Sequence, residues 1–400
     1  MVETRRTAPL ESILEHLTLS SENGVETLEF KSSGRLTLGV EIELQLIDPA
    51  TLNLASRAEE ILERASSLPG ITQEFYLSTV EINSGKCQDV HAVCRDLAPK
   101  IEGLQNICSG AGVRLSTTGC HPFARYADCI ITPSPRYTEL IDRNQWLTRR
   151  MTVYGLHVHI GMGSGDECIR FNNFFIHFLP HLLALSASSP FWQGEDTGLA
   201  SCRPTTYEAL PTAGQPYWVA SWREFEQLCH TLKTCNAIQS LKDLWWDLRP
   251  SPTHGTLEIR VCDGVATFEE TLAIVAFIHG LAHWFSENGN SVEKVPPPPR
   301  WLARENKWRV MRHGLDARLV TNLDGGTKPL REDVIDWCER IDASVTALAY
   351  EPYIATLQRI LVDGNSSMRQ RETFKTTGSL QDVIARNVAE FEARAPIWMR

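Results

Sequence analysis

Apolar and polar residues alternate along five short runs, residues 35–47, 77–83, 113–118, 156–162 and 256–262, each closed by Gly, Pro, Asn or Asp. A period of two sends successive side chains to opposite faces, so these runs predict β-strands. Helical periodicity lies between them, over 58–66, 90–111, 170–186, 221–234 and 267–288. After prolines 296–299 the pattern is almost wholly helical, over 299–312, 331–362 and 379–395. Strands and helices do not alternate strictly, which argues against a doubly wound parallel sheet. The order predicts an α+β fold, with an antiparallel-rich sheet covered by helices on one face. Residues 1–400 read as one domain, in which 296–400 is a mainly helical C-terminal part and the proline run is a bend.

The polar halves of these strands are unusual. In TLGVEIELQLIDP, Leu38, Val40, Ile42, Leu44 and Leu46 share one face, while Glu41 and Glu43 share the other, about 6–7 Å apart along the strand. TVEINSG sets Glu81 opposite Val80 and Ile82. GLHVHIG sets His157 and His159 opposite Val158 and Ile160, and TLEIRV sets Glu258 and Arg260 opposite Leu257, Ile259 and Val261. A merely solvated face would carry mixed Lys, Thr, Ser and Gln; these positions are mainly carboxylate and imidazole. Clustered charge in a cleft needs partners. Carboxylates with an imidazole select hard cations, Mg²⁺ or Mn²⁺. Two such ions would balance the triphosphate of ATP on the same face. Arg260 suits a phosphate oxygen, although a plain Arg260–Glu258 pair is the competing reading. Glu74 lies seven residues before Glu81, so only a turn or bulge could bring both to one face.

Composition narrows the setting. A net charge of −10 over 400 residues argues against nucleic-acid or anionic-membrane partners. No apolar run approaches the roughly 20 residues of a membrane span, and MVETRRTAPLESILEHL has no core of signal-peptide length. Eleven cysteines without CxxC spacing read as free thiols in a reducing cytoplasm. There is no P-loop motif, and HIGMGSGD does not complete GxGxxG. His177 and His181 lack the glutamate of HExxH and read as packed or surface histidines, and Cys87 as a packing residue.

The segments LGVEIELQLID, STVEINSGKC, YGLHVHIGM, LPHLLALSASSPFWQGEDTGLASCRPTTYEALPTAG, WWDLRPSPTHGTLEIRVCDG and RQRETFKTTGSL span most of the chain. Together they resemble carboxylate–amine ligases of the glutamate–cysteine ligase type 2 family. The resemblance implies a glutamine synthetase-like catalytic fold, a curved antiparallel sheet forming an open funnel with ATP and metals on its concave face. It implies Glu41, Glu43, Glu74, Glu81, His157 and Glu258 as metal ligands and Arg260 on the nucleotide phosphate, with His159 lining the acyl pocket. Arg249 is expected to hold a substrate carboxylate, Trp245 to wall that pocket, and Arg203 to sit on a mobile loop over the site. A turn rich in structural aromatics is the plainer reading of Arg249 and Trp245. The implied activity joins a small carboxylate to an amine through an acyl phosphate at the expense of ATP, glutamate–cysteine ligation included, in a cytoplasmic homodimer. Two other readings stay open: a metal-dependent amidohydrolase, suggested by the His-x-His strand, and a non-catalytic nucleotide- or metabolite-binding relative.

Overall fold

Each of the five alternating runs forms a strand in the computed structural model, which describes residues 27–292 and 298–398. The chain start, and Pro296 and Pro297 of the proline run, lie outside the described residues. The strands are β1 (Leu38–Ile47), β2 (Ile71–Gln73), β3 (Thr79–Asn83), β4 (Arg114–Ser116) and β5 (Gly155–Gly161). Two-residue pairs follow, β6 (Phe191–Trp192) with β7 (Glu195–Asp196) and β8 (Ala213–Gly214) with β9 (Trp245–Trp246), and then β10 (Leu248–Ser251) and β11 (Thr256–Asp263). The main sheet runs β10-β11-β5-β1-β3-β2, with β4 also paired to β1, and every pairing in it is antiparallel. Such a sheet leaves no βα barrel, the frame an amidohydrolase reading would need.

The alternation sorts the two faces as expected. Leu38, Val40, Ile42, Leu44, Leu46, Val80, Ile82, Leu156, Val158, Ile160, Leu257 and Ile259 are all buried. Against this apolar face pack the helices Val90–Gly110, Gly165–Phe175, Leu179–Ser186 and Phe268–Val292. Helix Glu351–Asp363 packs outside Phe268–Val292, and one apolar cluster runs from Leu38 to Phe391. Among the described residues no helix is long and apolar enough to cross a membrane.

Two expected helices are broken. The run 170–186 is interrupted by a 3₁₀ turn, Ile176–Phe178, because Pro180 lacks the N–H a continuing helix requires and instead sits in the first turn of Leu179–Ser186. The run 331–362 is three helices, Leu330–Arg340, Asp342–Ala347 and Glu351–Asp363; Ala349 takes φ +55 between the last two and Pro352 opens the third. A hairpin, β12 (Arg318–Val320) and β13 (Thr327–Pro329), also interrupts the helical C-terminal part. Helix Ser366–Thr377 shows little apolar periodicity and is held instead by charge. Its buried Arg369 bonds both carboxylate oxygens of Glu270 (2.9 and 2.8 Å) and Oε1 of Glu390 (2.9 Å), joining three helices.

Candidate active site

Antiparallel register lines up the polar halves of five strands. Glu43 lies opposite Glu81, Glu41 opposite His157, His159 opposite Glu258, and Glu258 opposite Arg249. Directly opposed residues are the closest cross-strand neighbours, so the register itself assembles the row. Glu74 joins it because the chain leaves β2 at Gln73 and turns before β3 begins at Thr79, which breaks the strand parity.

Three sets of potential ligand atoms result, each within 4.8 Å of one another: Glu41, His159 and Glu258; Glu41, Glu81 and His157; Glu43, Glu74 and Glu81. Glu41 and Glu81 each belong to two sets. His159 also belongs to the row. It contacts Glu41 Oε1 through Nε2 (3.0 Å) and Thr256 Oγ1 through Nδ1 (2.8 Å), at the end of the row away from Trp245.

The electrostatics divide the row. Burial works against the charge of Glu41, yet its hydrogen bonds to His157 and His159 hold its carboxyl well below the usual range. Glu258 is likewise held low against burial, by Arg260 and Arg249. At the other end burial pushes Glu43 up to about 7, with Arg203 opposing and Glu81 adding to the rise. Burial raises Glu74 too, reinforced by Glu81 and Glu43, and raises Glu81, reinforced by Glu41. Three crowded carboxylates thus lack enough positive charge among their neighbours, the condition a divalent cation relieves. Burial, and then Arg260, lower His157 to about 4, so its imidazole is neutral near pH 7, and its buried Nε2 has no hydrogen-bond partner. A neutral imidazole with a free nitrogen among carboxylates is fit for a metal.

Beside the Glu43 end lies a narrow cleft lined by Met151, Val153, Arg203, Tyr207, Trp245 and Arg260. Trp245 forms one wall of it. Arg203 does not ride a loop over the site: it is buried at the start of helix Arg203–Tyr207, stacked 4.9 Å over the Tyr207 ring. Its Nη1 donates to the Arg260 carbonyl (3.3 Å), while its buried Nε is unpartnered. Arg249 is engaged with Glu258, Nε to Oε2 at 2.8 Å, and so sits in the row and not in this cleft. Arg260 also bonds Glu258, through Nη1 to Oε1.

Several supporting residues escaped the sequence reading. A bulge in β11 between Ile259 and Cys262 interrupts its pairing with β5, while on the β10 side the Arg260 N–H donates to the Asp247 carbonyl at 2.7 Å. The Asp247 carboxylate takes Tyr207 OH (2.5 Å) and Lys307 Nζ (2.5 Å), and Lys307 also pairs with Glu208. Asp263 binds Ser189 Oγ (2.7 Å) and Ser201 Oγ (2.9 Å), anchoring the segment before Arg203. A hydrophilic Asp inside WWDLRP was the one local sign of this network; Lys307 gave none. Elsewhere, His181 is a packed residue bonded to Asp333 (2.7 Å), and Cys87 is buried in the core.

Comparison with known proteins shows the family and the fold. The family described as glutamate–cysteine ligase family 2 matches residues 37–386. A Bdellovibrio bacteriovorus protein, named provisionally as a glutamate–cysteine ligase 2, is 44% identical over 90% of this chain and 95% of its own length. A Thermobifida fusca protein with the same provisional name is 40% identical over 92% and 94%. Among solved structures, a Francisella tularensis glutamate–cysteine ligase in complex with AMP aligns with a TM-score of 0.66 at 13% identity, over 92% of this chain and 90% of that one. A bifunctional glutathione synthetase from Pasteurella multocida aligns at 0.63 and 16% identity, over 90% of this chain and 52% of its own. At such identities the two structures show a shared fold. The length of the family match and the identity of the curated relatives settle the membership: this chain belongs to the glutamate–cysteine ligase family 2.

Proposed function

We propose that this protein is an ATP-dependent carboxylate–amine ligase that uses Mg²⁺ or Mn²⁺ and works through an acyl phosphate. One observation carries the reading: acidic and imidazole groups from β1, β3, β5 and β11, joined by Glu74, converge on one face in cross-strand register. Glu41, Glu43, Glu74, Glu81, His157 and Glu258 would hold the cations, with His159 added to the set through Glu41 and Glu258. Bound there, divalent cations would supply charge neutralisation for the nucleotide phosphates.

The remaining steps belong to the chain. Arg260, presented by the bulge, gathers charge on the phosphoryl group as it passes from ATP to the substrate carboxylate. Arg203, with its unpartnered Nε, orients that carboxylate in the cleft, and Trp245 and Tyr207 exclude water that would hydrolyse the acyl phosphate. The amine then attacks the acyl carbon and inorganic phosphate leaves. Arg249 keeps Glu258 ionised and aimed. The family name makes glutamate with cysteine the first substrate pair to try. Eleven free thiols suit a reducing, cytoplasmic setting, and light scattering tests the homodimer carried over from the sequence reading.

The decisive assay measures ADP formed with Mg²⁺ over panels of carboxylates and amines, with mass detection of the amide. ADP appearing only when both substrates are present supports a ligase. Amide cleavage indifferent to ATP would instead identify a hydrolase, and nucleotide binding without turnover a non-catalytic relative.

A further inference from the structure

Behind the apolar face of the sheet lies a second cavity, of about 600 Å³, that the ligase chemistry does not use. The volume falls within the range of small-molecule sites. Its walls are aromatic: Phe174, Phe178, Trp284 and Trp337, closed by Leu302 and Leu319. The rings are set edge to face, Trp337 at 5.2 Å and 90° from Trp284 and at 4.7 Å and 78° from Phe178. A planar ring fits such a corner.

The polar groups decide which ring. Asp333, Trp337 and Arg340 fall at i, i+4 and i+7 of helix Leu330–Arg340, so an anion, an indole and a cation share one helix face. The Asp333 carboxylate is committed, taking His181 Nε2 and Lys328 Nζ at 2.7 Å each. Arg340 is not: its guanidinium lies 4.8 Å over Trp337, exposed at the mouth, and pairs with no carboxylate of the described residues. The available charge is positive, so the complementary ligand is an aromatic anion.

A route leads from this cavity to the ligand row. Ala303 and Asn306 line it from helix Arg300–His313, and the next residue, Lys307, is bonded to Asp247, whose carbonyl holds the Arg260 N–H. We propose that the cavity is an effector site for a small aromatic acid, coupled through Lys307 to the strand that carries Arg260.

The probe is 8-anilinonaphthalene-1-sulfonate, an aromatic anion that fluoresces in apolar surroundings, titrated into the full chain. Saturable binding of one probe per chain is expected, weakened at least tenfold by Arg340→Glu and abolished by Ala303→Trp, which fills the cavity. Both variants are to be compared at unchanged melting temperature; Arg340 is exposed, so its variant serves if Ala303→Trp does not fold. Saturating probe should change amide hydrogen exchange in residues 256–263 at least threefold in the parent. Non-saturable binding, binding indifferent to both variants, or saturable binding without that exchange change overturns the proposal. So does light scattering showing a dimer that excludes the probe and dissociates on Ala303→Trp, which would make the face an interface between copies.

Discussion

Lys307 Nζ sits 2.5 Å from Asp247 Oδ2, both side chains buried, across sixty residues of chain. Burial works against the ammonium, but Asp247, Tyr207 and Glu208 hold its charge. The contact ties a C-terminal helix to the bulge that presents Arg260. Lys307→Met would leave two carboxylates facing each other without a cation, a loss of about 3–5 kcal/mol. Urea unfolding should show that loss, and ADP·Mg²⁺ affinity should fall at least tenfold with Mn²⁺ stoichiometry unchanged. Parent-like stability would mean that the cluster is not the brace described here.

Glu41 and Glu74 differ in how many ligand sets they serve, two against one. Under the proposed function, Glu41→Gln should remove two Mn²⁺ sites in an electron paramagnetic resonance titration and reduce ligation at least a thousandfold. Glu74→Gln should weaken one site and leave measurable turnover. Equal effects of the two changes would contradict the shared role of Glu41.

Gly155 marks a close approach. A Cβ there would lie 2.6 Å from Arg203 Nη2 and 2.9 Å from His157 Nε2. Gly155→Ala should therefore displace Arg203 and raise KM for the carboxylate substrate at least tenfold. The melting temperature should drop by only a few degrees, because the neighbours that must shift are side chains and not backbone.

Arg369 closes a buried charge cluster with Glu270 and Glu390. Arg369→Met should cost about 3–5 kcal/mol by leaving Glu270 without a cation and Glu390 with Arg386 alone, read as a lower urea midpoint. Adding Glu270→Gln and Glu390→Gln should recover part of it. A variant as stable as the parent would show that packing alone holds the three helices.

Two core histidines set an acid limit. His121 accepts the Ala124 N–H at Nδ1 (2.9 Å) and donates from Nε2 to the Leu52 carbonyl (3.0 Å). His279 takes the Tyr350 hydroxyl at Nδ1 (2.7 Å) and donates to the Leu36 carbonyl (2.8 Å). Both are neutral, lowered by burial to about 4 from an ordinary 6.5. Their folded values lie below their unfolded ones, so between pH 6.5 and 4 the unfolded chain binds more protons. Stability is full above pH 6.5 and is lost as pH falls toward 4, by about 2 kcal/mol per histidine at pH 5. Carboxylates raised by burial, Glu43, Glu74 and Glu81, oppose this trend in overall melting. The check is therefore an imidazole NMR titration from pH 7 to 5: both rings should stay neutral at pH 5, and protonation near 6.5 would put them in contact with water.

Legibility in the sequence followed the range of the interactions. The strands 38–47, 79–83, 155–161 and 256–263 were readable because alternation records which side chains meet the core, and the same alternation exposed Glu41, Glu43, Glu81, His157 and Glu258 on the other face. Helix 366–377 was not readable, since a buried ion cluster holds it and leaves no apolar period. The long helices over 170–186 and 331–362 were overdrawn because apolar spacing continues through breaks made by Pro180, Ala349 and Pro352.

Local chemistry alone determined that one sheet face would be apolar and the other studded with carboxylate and imidazole, because side-chain direction along a strand follows from the backbone. Which of those groups meet was decided only in three dimensions. Register paired Glu41 with His157 and His159 with Glu258, a turn delivered Glu74, and a bulge aimed Arg260 with a lysine from a distant helix behind it. Pairing between strands depends on contacts remote in the chain, and no neighbour in sequence carries their record.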